Sequence, residues 1–151
     1  TQKGETTMAV KPIPDEYHSV TPYLIVEGAA KLIDFMKQAF EGKEVERMAK
    51  PDGTIGHAEV RIGDSIIMIS DAREDWKPMP SSLYLYVHDT DAAYKRALQA
   101  GAISLMEPAD KFYGDRAAGV KDPVGNMWWL ATHKEDVSPE ELQKRAAALN
   151  K

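Results

Sequence analysis

Two stretches of this chain follow the same pattern, and their likeness constrains the fold more than any other feature. Residues 21–40 and 82–101 each begin with alternating side chains, break at acidic or glycine residues, and continue with apolar residues at helical spacing. Two or three shorter runs that alternate like strands follow each stretch. A strand–helix–strands unit that occurs twice indicates an internal duplication. We therefore predict an α+β fold of two βαβββ modules.

The segments around the modules give the domain boundaries. The first 17 residues are polar, contain two prolines and show no period, which predicts a flexible tail. A polar, proline-containing run after Asp71 predicts a linker between the modules. Near the end, Ser138 and Glu141 form a capping box with a proline at the first helical position, which predicts a C-terminal helix. The predicted tail, first module, linker, second module and helical segment are 1–17, 18–71, 72–81, 82–133 and 134–151.

A two-residue turn at Gly63-Asp64 predicts the register of one hairpin. This turn places Ile62 opposite Ser65 and Glu59 opposite Met68. One face of the hairpin is then apolar and should pack under a helix, whereas the other is mixed, as expected of a surface that faces a ligand. The apolar face comprises Ala58, Val60, Ile62, Ile67 and Ile69.

Charge and composition exclude several classes of partner. The chain has a formal net charge of −5 and no basic stripe, which argues against a nucleic acid as partner. No apolar run approaches the roughly 20 residues of a membrane span, and the first residues lack the apolar core of a signal peptide. The chain contains no cysteine, so disulfides and thiolate chemistry are excluded. We expect a cytoplasmic protein that binds neither nucleic acid nor membrane.

His57 and Glu59 are the first candidates for chemistry, because residues two apart on a strand share one face. They could be two ligands of a divalent metal ion, or a base with the carboxylate that orients it. The alternative is that they are polar residues of a half-exposed strand that face water, with Arg61 as an ionic partner.

Aromatic residues form a second candidate site. Tyr23, Tyr84, Tyr86 and Trp129 all fall on the faces of their strands that point away from the helices. If they converge on a concave sheet, they form a stacking pocket for a planar or apolar ligand. The alternative is that they only fill the interior of the sheet.

The run Phe112-Tyr-Gly-Asp-Arg116 adds two candidate ligand contacts, Tyr113 and Arg116. An arginine at the start of a strand could bind a carboxylate or phosphate with both arms of its guanidinium. The alternative is an Asp–Arg pair that pins a loop. His18 and His133 flank the two modules, and the sequence assigns them no role.

Several motifs, in this order and spacing, resemble the vicinal oxygen chelate superfamily, which includes glyoxalase I, bleomycin-resistance proteins and extradiol dioxygenases. The resemblance covers about residues 18–137 and is strongest to the PhnB-like branch. It implies the glyoxalase-like fold, with curved sheets around a cup. The motifs are Thr21-Pro-Tyr-Leu, His57-Ala-Glu59, Phe112-Tyr-Gly-Asp-Arg116, Asp122-Pro-Val-Gly125 and Trp128-Trp-Leu-Ala-Thr-His133.

In the metal-dependent members of this superfamily, His or Glu side chains from the first and last strands of each module bind the ion. Strand matching gives those places to Thr21, Met68, Ser82 and Trp129. None of the four suits a hard or borderline divalent metal. We therefore expect no cofactor, and a cup that binds a small organic ligand through Met68 and the aromatic residues. The alternative is a metal-dependent lyase, isomerase or dioxygenase with a relocated site at His57 and Glu59.

The resemblance also bears on assembly. A half-open four-stranded sheet leaves strand edges exposed, which favours pairing with another sheet. We therefore expect a homodimer, with modules paired side by side or exchanged through the linker. A protein that only mediates assembly is disfavoured, because the inner face keeps polar groups that an interface core tends to exclude.

Overall fold

The computed structural model describes residues 9–150, so the first eight residues of the predicted tail lie outside it. None of the helices within this range is long and apolar enough to cross a membrane. The elements in chain order are β1 (Tyr23–Val26), α1 (Ala29–Phe40), β2 (Lys43–Ala49), β3 (Ile55–Ile62), β4 (Ser65–Asp71), β5 (Ser82–Tyr86), α2 (Thr90–Gln99), β6 (Ile103–Asp110), β7 (Asp115–Lys121), β8 (Met127–His133) and α3 (Pro139–Leu149).

The predicted duplication is confirmed by the topology of the two sheets. Each sheet has four strands, in the orders β1-β4-β3-β2 and β5-β8-β7-β6. In both, the strand before the helix pairs in parallel with the last strand of its module, and the other pairs are antiparallel. The two sheets are separate and do not close into one another. The α+β fold of two βαβββ modules with a C-terminal helix is therefore correct.

The turn at Gly63-Asp64 sets the predicted register. Ile62 pairs with Ser65, and Glu59 pairs with Met68. The apolar face of this hairpin is buried, as expected, and its members are Ala58, Val60, Ile62, Ile67 and Ile69.

One core lies between the two sheets and is shared by both modules. The helix-side faces of the sheets and the buried faces of α1 and α2 form a single apolar cluster. Phe40 of α1 contacts Trp128 of the second sheet, with ring centroids 4.9 Å apart, and Arg96 of α2 donates to the carbonyl of Ala39 at 3.0 Å. Since both helix-side faces turn toward this core, the opposite faces turn away from it.

The first strand is shorter than the alternating pattern predicts. The pattern begins at Ser19 and places Val20 on the apolar face, but Val20 is 83% exposed and pairing starts at Tyr23. Pro22 has no N–H to donate to a ladder, which explains the late start. In the second module the sequence pattern predicts a short strand over residues 103–106, whereas β6 extends to Asp110, with irregular pairing along it.

The Asp122-Pro-Val-Gly125 motif forms the predicted turn, and its aspartate has a further role. The Asp122 side chain accepts from the backbone N–H groups of Val124 and Asn126, both at 2.9 Å. It also accepts from Trp128 Nε1 at 2.8 Å. The motif therefore joins the turn to the core through the indole of the following strand.

Helix α3 begins as predicted, with the Ser138 side chain accepting from Glu141 N. It has no buried residue, and polar contacts join it to the body: Arg145 donates to the Phe112 carbonyl at 3.0 Å and pairs with Glu135 at 2.6 Å. This contact places the helix against the loop that carries Tyr113.

Candidate functional site

Face 1 is the surface of the first sheet that points away from the helices. The register aligns Tyr23 with Met68, and Met68 with Glu59. Because aligned residues on neighbouring strands point to the same side, these three residues share face 1 with His57. The structure therefore brings together all four candidate residues of the first module.

Glu59 is the centre of a hydrogen-bonded group on face 1. It is only 7% exposed; one oxygen lies 2.9 Å from His57 Nε2, and the other accepts the hydroxyl of Tyr17. Burial pushes the pKa of Glu59 upward, but the hydrogen bonds from Tyr17 and His57 outweigh it, and the pKa is lowered. The bond to Glu59 raises the pKa of Tyr17 to about 12. At neutral pH, Glu59 is thus an ionised acceptor and Tyr17 a donor.

An aromatic wall borders this group. The Tyr23 ring lies 5.7 Å from the His57 ring, and its centroid is 6.3 Å from that of Trp76, edge to face. Tyr23 and Trp76 line an open pocket of about 570 Å³ together with Ile25 and Met79. Both rings remain partly exposed, so the pocket offers aromatic surface to a ligand.

Face 2 is the surface of the second sheet that points away from the helices, and Asp115 is its buried carboxylate. Asp115 is 4% exposed and accepts from the hydroxyls of Tyr84 at 2.8 Å and Tyr86 at 3.0 Å. Its other oxygen lies 2.8 Å from His133 Nδ1. Burial raises the pKa of Asp115, but the bonds from His133 and the two tyrosines outweigh it and lower the pKa.

The rings held by Asp115 form an exposed platform. The centroids of Tyr84 and Tyr86 lie 5.3 Å apart, and the two residues are 46% and 61% exposed. Burial raises the pKa of Tyr84, and the hydrogen bond to Asp115 raises that of Tyr86, so both stay protonated donors at neutral pH. The Asp115 carboxylate fixes both hydroxyls, while the two rings remain exposed to solvent.

Trp129 extends the platform on face 2. It aligns with Tyr84 on one side and with Gly119 on the other, and its Nε1 donates to Ser82 Oγ at 2.9 Å. A Cβ atom at position 119 would lie 2.7 Å from ring atom Cε3 of Trp129. The indole therefore rests on the backbone of β7, where only glycine leaves room for it.

The two candidates in the Phe112–Arg116 run, Tyr113 and Arg116, lie apart from each other in the structure. The Tyr113 hydroxyl lies 3.5 Å from that of Tyr84, at the margin of the platform. The Arg116 guanidinium binds Asp91 at 2.7 and 3.0 Å, and Asp110 at 3.2 Å. It aligns with Thr132 on the helix side of the sheet and is not brought together with the tyrosines. The alternative, a pair between Asp115 and Arg116, is also corrected: Arg116 binds Asp91 and Asp110 instead, because neighbouring residues of a strand point to opposite faces.

Sequence reasoning missed four residues of these groups: Tyr17, Asp115, His133 and Asp136. His133 bridges two carboxylates, with Nδ1 at 2.8 Å from Asp115 and Nε2 at 2.8 Å from Asp136. Strand alternation could have found Asp115 and His133, since both fall on the side of the second sheet that carries Trp129. Tyr17 belongs to a segment without regular structure, and no periodicity could have placed it.

The side chains present do not fit the metal centre of the resembled superfamily. Trp129 has only a donor N–H, and Ser82 already accepts it. Nor do His57 and Glu59 converge on a common point, because Nε2 and Oε2 face each other in a hydrogen bond. Within residues 9–150, no group of three or more histidine and acidic side chains is arranged to hold an ion.

Comparison with known proteins assigns the family. The model of the Glyoxalase/Bleomycin resistance protein/Dioxygenase superfamily matches residues 17–130. The chain belongs to this superfamily. An uncharacterized protein of Mycobacterium tuberculosis H37Rv is 35% identical over 153 residues, which cover 94% of this chain and 87% of that protein. A protein of Mycobacterium bovis is 35% identical over 136 residues, covering 83% and 90% of the two chains.

Solved structures support the fold. TioX from Micromonospora sp. ML1 superposes with a TM-score of 0.62 at 23% identity, over 76% of this chain and 99% of that one. A PhnB protein from Bacillus cereus, described as a putative 3-demethylubiquinone-9 3-methyltransferase, gives a TM-score of 0.61 at 18% identity, over 76% and 99%. At these identities the likeness concerns the fold alone.

Proposed function

We propose that this protein binds a small planar organic molecule on its aromatic faces, without a metal ion at the positions used by metal-dependent relatives. One observation carries the proposal: Tyr84 and Tyr86 are about half exposed although their hydroxyls are held by buried Asp115. Rings that only filled space would be covered. Rings fixed in orientation yet open to solvent form a preorganised stacking surface, which reduces the ordering cost of binding.

The rest of face 2 and face 1 support the same function. The Trp129 indole is fixed by its hydrogen bond to Ser82 and by its close packing on Gly119. The tyrosine platform therefore has a rigid indole ring beside it. On face 1, Tyr23 and Trp76 line the 570 Å³ pocket. This volume lies within the range of small-molecule sites, about 300–1,000 Å³. The motifs that resemble the PhnB-like branch support a further proposal, that the chain belongs to that branch.

We propose further that two copies associate so that outer faces meet. In one chain, faces 1 and 2 both turn away from the shared core. Exposed apolar side chains lie on both, and these are Tyr23, Met48, Tyr84, Tyr86, Ile103 and Met127. A second copy that brings face 2 opposite face 1 would complete a cup and cover this surface.

Isothermal titration with two probes of similar charge tests the binding proposal. We expect planar 9-aminoacridine to bind saturably and the globular amine 1-aminoadamantane to bind at least about tenfold more weakly, because only a flat ring stacks. Tyr86→Ala should weaken 9-aminoacridine binding by about tenfold, whereas Tyr86→Phe keeps the ring and should retain it. Equal affinity for the two probes, or equal binding by Tyr86→Ala and wild type, would refute the proposal.

A further inference from the structure

His57 differs from the other histidine that is bound to a buried carboxylate. His133 has both ring nitrogens occupied, by Asp115 and Asp136. His57 uses Nε2 for Glu59, and its Nδ1 has no hydrogen-bond partner among residues 9–150. The His57 side chain is 24% exposed. One nitrogen is thus held by the protein, and the other is left for a ligand.

The partners of Glu59 determine which nitrogen of His57 carries the proton. An ionised carboxylate only accepts hydrogen bonds. Glu59 therefore requires the N–H form of His57 Nε2, and the lone pair of the neutral imidazole lies on Nδ1. Tyr17 donates to the other oxygen of Glu59, which keeps the carboxylate from rotating away. The arrangement is a base with its orienting carboxylate, and a third group fixes that carboxylate.

Tyr23 is the residue that connects this base to the open pocket, since it neighbours His57 and lines the pocket. The Tyr23 ring lies 5.7 Å from the His57 ring, so a flat molecule stacked on Tyr23 would present its edge to the imidazole. The pocket beyond Tyr23 is mainly apolar, with Ile25, Trp76 and Met79, and the charged residues Asp75 and Lys77 also line it.

We propose that His57 is the general base of a metal-free proton-transfer site on face 1, and that Glu59 is its positioning residue. The substrate class is a planar organic molecule with an acidic C–H, N–H or O–H at its edge. His57 Nδ1 takes the proton, and the resulting imidazolium is stabilised by Glu59 and returns the proton to water or to product. This site rests on the proposed function, because the planar molecule must first bind.

The planar probe 5-nitrobenzisoxazole tests the base directly. Its C3–H proton passes to the base, the C–H electron pair completes the nitrile, and the N–O bond breaks to release a coloured cyanonitrophenolate. The reaction needs no cofactor or oxidant. We expect saturable turnover by the wild-type protein, and His57→Gln should lower kcat about 100-fold with little change in KM, the lower range for a positioned base. His88→Gln replaces an exposed histidine outside the site and should behave as wild type.

The positioning role of Glu59 is tested by measurements that would not change if Glu59 only supported the fold. Glu59→Gln keeps the size of the side chain but removes its charge, so we expect an unchanged circular dichroism spectrum and a kcat lowered by about tenfold or more. Nitrogen-15 NMR of the wild-type protein should show the neutral His57 ring protonated on Nε2. In Glu59→Leu, which removes the acceptor, the ring should become a mixture of both tautomers.

The outcomes separate the two proposals. If His57→Gln turns over the probe as fast as wild type, or if NMR places the proton on Nδ1, the base assignment is overturned. If 9-aminoacridine binds but 5-nitrobenzisoxazole shows no turnover above buffer, the base assignment falls and the binding function stands. If neither planar probe binds the wild-type protein, the proposed function fails and this inference fails with it.

Discussion

At the scale of single residues, two buried carboxylates determine the chemistry of the outer faces. Glu59 is held by one tyrosine hydroxyl and a histidine nitrogen, and Asp115 is held by two tyrosine hydroxyls and a histidine nitrogen. A buried carboxylate without such partners would be costly, so these donors make ionisation at neutral pH possible. The two groups differ in what they leave free: a histidine nitrogen on face 1, and tyrosine rings on face 2.

Replacing Gly119 should remove the rigid neighbour of the tyrosine platform. A Cβ in Gly119→Ala would overlap the Trp129 ring, so we expect the indole to tilt and the unfolding free energy to fall by about 1–3 kcal/mol. Urea denaturation and 9-aminoacridine titration measure both effects. Gly56→Ala is the matched control, because its Cβ would meet nothing closer than 3.4 Å. If Gly119→Ala matches this control in affinity and stability, Trp129 does not depend on the glycine.

His133 should make stability depend on pH. Hydrogen bonds to Asp115 and then Asp136 raise its pKa above the ordinary value of 6.5. A raised pKa in the folded state stabilises the fold fully below about pH 6.5, and this stabilisation is lost as pH rises through the folded-state pKa. Urea unfolding of wild type and His133→Gln should therefore differ more at about pH 6 than at about pH 9. A difference that grows with pH would contradict this assignment.

At the scale of elements, Asp71 shows how the strands position a helix. Gly28 at the start of α1 has no side chain to cap it. The Asp71 carboxylate at the end of β4 accepts instead from Gly28 N at 3.0 Å and Ala29 N at 2.9 Å. It also accepts from Ile55 N at 2.8 Å. One side chain thus ties together the helix start and two strands.

Asp71→Asn should destabilise the first module. An amide has one acceptor oxygen and no charge, so some of the three N–H groups lose their partner; we expect a loss of about 1–3 kcal/mol. Urea denaturation at neutral pH measures it. Asp89→Asn is the control, because Asp89 caps α2 through Ala92 N alone and asparagine caps equally well. An Asp71→Asn variant as stable as Asp89→Asn would show that Asp71 is not the cap of α1.

The sequence predicted the elements better than the site. Strand alternation and the Gly63-Asp64 turn sufficed for the register that brings Glu59 and Met68 together, because both are local signals. The partner of Arg116 was not predictable in this way, since Asp91 approaches it from α2 through tertiary packing. The place of Trp129 over Gly119 depends likewise on two strands meeting in register.

At the scale of the whole molecule, the two sheets share one core, and their aromatic faces lie on the outside. The helix-side surfaces of both sheets are covered by each other and by α1 and α2. The outer faces keep exposed tyrosines, methionines and an isoleucine. Exposed apolar surface of this kind marks a site of binding or association, which is why ligand binding and dimer formation are proposed together.

The dimer proposal has a direct solution test. Light scattering after size-exclusion chromatography should give twice the chain mass of 16.8 kDa. Met48→Glu and Ile103→Glu together should shift the protein toward monomer, because each introduces a charge on an outer face. Val10→Glu, at an exposed position of the N-terminal segment, is the control and should leave the mass unchanged. A wild-type protein that stays monomeric at high concentration would contradict association through these faces.

The proposed function depends most on ligand binding without a metal ion. The most direct measurement is elemental analysis for Zn, Ni, Mn and Fe in the purified protein, combined with 9-aminoacridine titration before and after EDTA treatment. We expect metal well below one equivalent and an affinity that EDTA does not change, because strand matching assigns the superfamily's metal-ligand positions to Thr21, Met68, Ser82 and Trp129. A stoichiometric metal whose removal abolishes binding would contradict it.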